Sequence, residues 1–169
     1  MTFQHNSLGI DYSTKKVALA VLRPNHPRSD RRVSVWSVEL PDKARDHDRN
    51  FTDILEWTME RLAVLEDYQD WNIAIEAPIV GISGNRQTAI RMAMVCGALV
   101  RECQQWFGTE CISLVPVSSW KKEVCGKGNL DKDQIGEWLL QTHPDLWHQC
   151  ATEHEVDAMC MALWAGERR

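Results

Sequence analysis

No stretch of this sequence approaches the ~20 consecutive apolar residues that a bilayer-spanning helix needs. The opening Met1-Thr2-Phe3-Gln4-His5-Asn6 has no basic segment leading into an apolar one, the mark of a secretory leader. A cytoplasmic protein, neither secreted nor in a membrane, is therefore expected. Positive charge is also short. Lys and Arg number 19 against 24 Asp and Glu, a formal net charge of −5, which argues against a polycationic coat on nucleic acid. A local basic surface, or bound metal, is still compatible with that balance. Internal repeats, low-complexity tracts and linkers are missing, so residues 1–169 are expected to form one domain, with 44% hydrophobic residues to fill its core.

Paired-cysteine motifs are missing as well. Cys96, Cys103, Cys111, Cys125, Cys150 and Cys160 include no CxxC, and several sit in apolar, helix-like stretches. Without a secretory leader they read as reduced structural thiols. His143, His148, Cys150 and His154 do not have the spacing of a compact zinc site, so structural zinc is not expected.

What is present has a clear order. Ser7–Asp11 and Lys16–Leu22 read as strands joined by a Tyr12-Ser13-Thr14 turn, and Val33–Val38 alternates with period two as a third, antiparallel strand. The loop between the last two carries a basic run from Arg28 to Arg32. A helix is predicted from about Asn50 to Asp67, with Phe51, Ile54, Leu55, Thr58, Leu62 and Leu65 on one stripe. Trp71–Glu76 reads as a short buried strand, stopped by Pro78. A second helix is predicted over Arg86 to Phe107. Its centre, Met92 to Val100, is apolar all round, which implies cover on two sides by the core or by a second subunit. Cys111–Pro116 reads as a fifth strand. A basic helical piece follows around Trp120-Lys121-Lys122, then a helix from Asp131 to Leu140 with capping-box spacing, then a last helix after Thr152. Three strands followed by alternating helix and strand point to a mixed α/β sheet with helices on both faces.

The chemistry concentrates at strand ends. Asp11 and Glu76 each close an apolar strand, where an unpaired carboxylate is costly and needs a cation or donors. Ligands gather at the carboxyl ends of strands in such sheets, so the two acids meet if their strands are neighbours. Capping of local turns is the alternative for each. His154 and Asp157 stand three apart at the start of the last helix, on one face, ahead of an apolar run that buries it. Glu155, three after Thr152, has a capping role. Three carboxylates and one histidine at a common point suit two hard divalent cations, Mg²⁺ or Mn²⁺, better than zinc. Paired ions of that kind cleave phosphodiesters.

Leu8-Gly9-Ile10-Asp11, Ile73-Ala74-Ile75-Glu76, the stretch Trp120-Lys121-Lys122-x-x-x-Gly126-x-Gly128-x-x-x-Lys132 and His154-x-x-Asp157-Ala158 together resemble the RuvC-type Holliday-junction resolvases in order and spacing, over about residues 7 to 166. The resemblance implies an RNase H-like fold: a mixed five-stranded sheet, three antiparallel strands then parallel ones, flanked by helices on both faces. It implies catalytic, metal-holding roles for Asp11, Glu76, His154 and Asp157, with two Mg²⁺ or Mn²⁺ ions. It further implies a homodimer, formed through the helix that starts near Arg86, which binds branched DNA and nicks four-way junctions in symmetric pairs, leaving 5′-phosphates. Lys121 and Lys132 match positions that meet the DNA backbone or the scissile region. Lys122, Lys127 and Arg86 join them as expected DNA contacts, with solvated surface charge as the alternative for the lysines. Family members often carry an aromatic residue shortly after the glutamate that ends the strand. Here Ala77-Pro78-Ile79 follows, and Ile79 is the candidate wedge, without base stacking.

Three rival readings have distinct signatures. An RNase H-like nuclease for flaps, forks or RNA would share the metal site. The opening Gly9 to Lys15 also resembles the phosphate-binding hairpin of actin-like ATPases, which need a second lobe that 169 residues do not supply. A non-catalytic DNA-binding relative would not need the full acidic set.

Overall fold

The computed structural model describes residues 5–26, 29, 32–40, 47–65, 70–78 and 86–168, with residues 47–50 described by their backbone only. Strands β1 (Asn6–Tyr12), β2 (Lys16–Leu22) and β3 (Val33–Glu39) come first, then helix α1 (His47–Leu62), β4 (Trp71–Glu76), α2 (Arg86–Phe107) and β5 (Ile112–Val115). Helices α3 (Val117–Cys125), α4 (Lys132–Thr142), α5 (Pro144–Trp147) and α6 (Glu153–Gly166) complete the chain. The sheet runs β3-β2-β1-β4-β5. β1 and β3 lie antiparallel to β2, while β4 lies parallel to both β1 and β5. This is the mixed sheet expected from the order of the elements.

Residue alternation decides what each face carries. Leu8, Ile10 and Tyr12 of β1, Val17, Leu19 and Val21 of β2, and Ile73 and Ile75 of β4 pack under α1 and α2. The opposite face is built from smaller residues: Ala18, Ala20 and Ala74, packed with Trp120, Ile135, Leu139 and the apolar length of α6. That choice lets a helix come unusually close. A Cβ on Gly9 would stand 2.0 Å from the Ala158 carbonyl oxygen and 2.5 Å from the Ala162 nitrogen, so α6 lies directly on β1 because position 9 has no side chain. From Val156 to Gly166 every residue except the polar Asp157 is buried, which is why the segment reads as apolar all round.

Three features differ from the sequence reading. α1 ends at Leu62 rather than running to residue 67. Ala63 and Leu65 close it with backbone bonds to Met59 and Leu62, and Asp67 lies outside the described residues. α5 is a single turn opened by Pro144, too short for a hydrophobic period to reveal. α2 is covered on one side only. Val95, Cys96, Leu99 and Cys103 face the sheet, while Ile90 and Met94 are 55% and 58% exposed. Most of the basic run from Arg28 to Arg32 lies outside the described residues. Among the described residues no helix is long and apolar enough to cross a membrane.

Candidate active site

Asp11 and Glu76 come together through register and parity. β1 and β4 are parallel, with Ile10 opposite Ile75, so the next residues stand side by side at the carboxyl ends of the two central strands. Both belong to the set of alternate residues that includes Gly9 and Ala74, hence they point to the α6 side. α6 brings the remaining two groups. Its N-terminus is fixed by Thr152, whose hydroxyl accepts from the Glu155 backbone, while Glu155 reaches back to the Ala151 and Thr152 nitrogens at 2.5 and 3.1 Å. Ser37 on β3 donates to the same carboxylate at 2.6 Å, which ties the start of α6 to the sheet. Held this way, His154 Nδ1 donates to Asp11 Oδ2 at 2.5 Å.

The charges in this cleft press on one another. Burial, then the nearby charges of Asp11 and Asp157, push the Glu76 carboxyl up to about 8. Burial, then Asp11, push Asp157 up to about 6. The hydrogen bond to Asp11 raises His154 above its ordinary value, against the opposing effect of burial. When protonated, that imidazole offsets part of the negative charge that the carboxylates build up.

Lys121 approaches from the third side. Its ammonium donates to the Leu130 carbonyl at 2.8 Å, lies 5.7 Å from the centre of the buried Trp120 ring, and lowers the cost of charge on Glu76 and Asp157. The Gly126-x-Gly128 spacing explains that posture. Gly126 ends α3 at φ +83, and a Cβ on Gly128 would stand 2.7 Å from the Ser118 carbonyl, so the loop folds back over α3 and offers Leu130 to Lys121. Lys132 pairs with Glu153, whose Oε1 is also 3.8 Å from His154 Nε2. Its charge also reaches Asp11 and Asp157.

Of the residues singled out from sequence, Asp11, Glu76, His154 and Asp157 converge, with Lys121 and Lys132 beside them. Lys122, Lys127 and Arg86 are exposed. Ile79 lies outside the described residues. Sequence reasoning passed over Glu153 and Lys16, both of which act on His154 through charge. The only available signal was their position, one before His154 and at the start of β2. Three carboxylates and one imidazole are a hard, oxygen-rich donor set of the kind that holds Mg²⁺ or Mn²⁺, and their mutual repulsion is what such an ion relieves. As placed, no three His, Cys, Asp or Glu side chains among the described residues close around a single point, and one Asp11 oxygen is bonded to His154. The same holds for the zinc set of His143, His148, Cys150 and His154, which is not assembled.

The sheet order, the antiparallel-then-parallel pairing and the long helix crossing β1 define an RNase H-like fold of the RuvC type. Two solved structures make the likeness specific. Thermus thermophilus RuvC in complex with a Holliday junction substrate matches with a TM-score of 0.69 at 15% identity, over 95% of this chain and 92% of that one. A second Thermus thermophilus RuvC structure matches with a TM-score of 0.65 at 14% identity, over 94% and 91%. No protein-family model matches the sequence, and no curated protein sequence matches it.

Proposed function

We propose that this protein is a metal-dependent, structure-selective endodeoxyribonuclease that resolves four-way DNA junctions by paired symmetric nicks. The observation that carries the reading is the convergence of Asp11, Glu76, Asp157 and His154 at the carboxyl ends of β1 and β4, in a RuvC-type fold. Two divalent ions, Mg²⁺ or Mn²⁺, would be held by Asp11, Glu76, Asp157 and His154. When bound they supply an activated water and charge stabilisation at the leaving oxygen.

The chain's own residues have separate tasks. Asp11, the most buried of these acids and central between β4 and α6, would hold the ions together with Glu76 and Asp157. His154 either completes the ligand set or keeps a proton available near the leaving group, through its contact with Asp11. The charge of Lys121 reaches Glu76 and Asp157, where it would meet the scissile phosphate. Lys132 is held beside the cleft by Glu153, while Lys122, Lys127 and Arg86 extend the cationic track for DNA, making binding fall with salt. A second copy of the chain packs on the exposed stripe of α2, which sets the pairing of the nicks. Ile79 serves as the wedge at the crossover.

The test is a cleavage assay with Mg²⁺ or Mn²⁺ on an immobile four-way junction, a flap, a fork and plain duplex, labelled on each strand. Paired nicks on opposing strands of the junction, with 5′-phosphates, are expected. Equal cutting of all branched forms would reassign the protein as a general structure-selective nuclease, and no cutting by folded protein would leave a binding role. Asp11→Asn is expected to lower cleavage by about 10²–10⁴-fold or more, with junction binding retained in a gel-shift measurement. Loss of binding in that variant would count against the assignment.

A further inference from the structure

Lys132 is placed as a contact for DNA, yet in the folded chain its charge is already engaged. Its ammonium donates to Glu153 Oε1. Lys132 is the first residue of α4 and Glu153 the first of α6, so the pair joins two helix starts at the rim of the cleft. Neither helix depends on it for a cap. Asp131 with Gln134 caps α4, and Thr152 with Glu155 caps α6. A lysine at a helix N-terminus also opposes the helix dipole, so local stability gives no reason for Lys132 to stand there. Lys16, the other lysine whose charge reaches His154, has a separate partner in Glu39 at 3.0 Å.

The position of the shared oxygen shows what the pair blocks. Glu153 Oε1 lies 3.8 Å from His154 Nε2, too far for a hydrogen bond, while His154 Nδ1 donates to Asp11 at 2.5 Å. The carboxylate thus stands at the mouth of the site, one imidazole away from Asp11, with its bond committed to Lys132. A phosphate oxygen meeting Lys132 at this point would lie beside the same imidazole. Carboxylate and phosphate offer an ammonium the same kind of partner, an anionic oxygen. The two side chains are 48% and 53% exposed, so the pair lies in water and is readily displaced.

We propose that Glu153 is a specificity-determining residue: its carboxylate holds the place of a DNA phosphate on Lys132, and bound DNA is seated for cutting only when its own phosphate takes over that ammonium. The masking of Lys132 stands on the ion pair; its effect on cutting rests on the nuclease function proposed above. Breaking the pair costs the same whichever DNA displaces it, so discrimination does not arise in binding alone. It arises among complexes already formed, as a difference in the fraction that is seated. A four-way junction, held at many phosphates, presents one to Lys132 at high effective concentration and wins the exchange. A plain duplex, held at few, leaves Glu153 in place and gains no contact from Lys132.

The test begins with binding of plain duplex in EDTA, followed by fluorescence anisotropy over a range of salt. Glu153→Gln frees Lys132 for a phosphate, so the slope of log K against log salt should steepen by about 0.9, the counterion of one phosphate. Glu153→Ala removes the same carboxylate by another route and should give the same steepening. Lys132→Gln should leave the duplex slope unchanged, with or without Glu153→Gln. Cutting is then measured in single turnovers with protein in excess. Glu153→Gln should raise duplex nicking by about fivefold, the most that an exposed ion pair is worth, and junction nicking by less than about twofold. Both gains should vanish in the Lys132→Gln background. An unchanged duplex slope in Glu153→Gln and Glu153→Ala would overturn the proposal. So would a junction gain as large as the duplex gain, or a gain that survives Lys132→Gln, which would reduce Glu153 to general repulsion of DNA. The binding readout does not depend on activity: a steepened slope in protein that cuts no DNA would keep the mask and retire the nuclease reading.

Discussion

At the scale of single residues, the site is unfavourable as the chain alone builds it. Glu76 reaches about 8 and Asp157 about 6 because burial and neighbouring carboxylates disfavour their charged forms. His154 is displaced in the same direction by its bond to Asp11. The stability consequence has one sign for all three. A group with a folded pKa above its unfolded value contributes stability that is full below the unfolded pKa and lost as pH rises through the folded one. For Glu76 the loss runs from about 4.5 to about 8, for Asp157 from about 3.8 to about 6, and for His154 from about 6.5 upward. Metal-free protein is therefore expected to lose on the order of a few kcal/mol between pH 5 and 8, read by denaturant melts in EDTA. Added Mg²⁺ or Mn²⁺ should stabilise more at pH 8 than at pH 5, since protons no longer compete for the carboxylates. Glu76→Gln should flatten the slope. A metal-free protein that gains stability over that range would show that the acids do not crowd one another.

At the scale of elements, the decisive contact is α6 on β1. His154 and Asp157 ride on α6, so their distance from Asp11 is set by the closest approach of helix and strand at Gly9. Gly9→Ala places a methyl group against two backbone atoms that cannot rotate away. It is expected to cost about 1–3 kcal/mol or more, and to impair cleavage even where the variant remains folded. Gly136→Ala is the contrasting change: position 136 lies inside α4 with open space around a Cβ, so about 0.5–1 kcal/mol of stabilisation and unaltered cleavage are expected. Thermal melts and the junction assay on both variants check the pair. These elements were mostly legible beforehand, because local signals dictated them. The Asp131–Gln134 and Thr152–Glu155 boxes form as their spacing implied, and α2 spans Arg86–Phe107 as read from its period. What stayed hidden depends on long-range placement. Ser37 reaches Glu155 across 118 positions, and His154 reaches Asp11 across 143, distances over which no local pattern carries information. The inward turn of Lys121 needed the fold of the Gly126–Leu130 loop, so from the sequence it read as a DNA contact, with solvated surface charge as the alternative.

At the scale of the whole molecule, the proposed function asks for two cuts in a four-way junction, while the described residues of one chain offer one convergence of acids. The missing half is argued from α2. Its sheet-facing side is filled, but Ile90, Ala93, Met94 and Gly97 follow helical spacing along the opposite side and are exposed. A groove of about 430 Å³ between α1 and α2, lined by Phe51, Ile90, Met94 and Val95, continues that stripe. Solvated apolar side chains at this spacing are unrewarded in a monomer, whereas a second copy related by two-fold symmetry would bury both stripes at once. It would also set two sites at a fixed separation. Met94→Glu puts a charge in the middle of that contact. Since Met94 is exposed in the single chain, stability of the monomer should change by no more than about 0.5 kcal/mol. Self-association, measured by sedimentation equilibrium, should weaken by about 100-fold or more, the cost of desolvating an unpaired carboxylate. Junction nicking by the variant should then become uncoupled: single cuts accumulate, and opposing cuts lose their simultaneity. A Met94→Glu protein that still sediments as a dimer would move the subunit contact away from α2, and one that is monomeric yet cuts in pairs would show that pairing does not need a second chain.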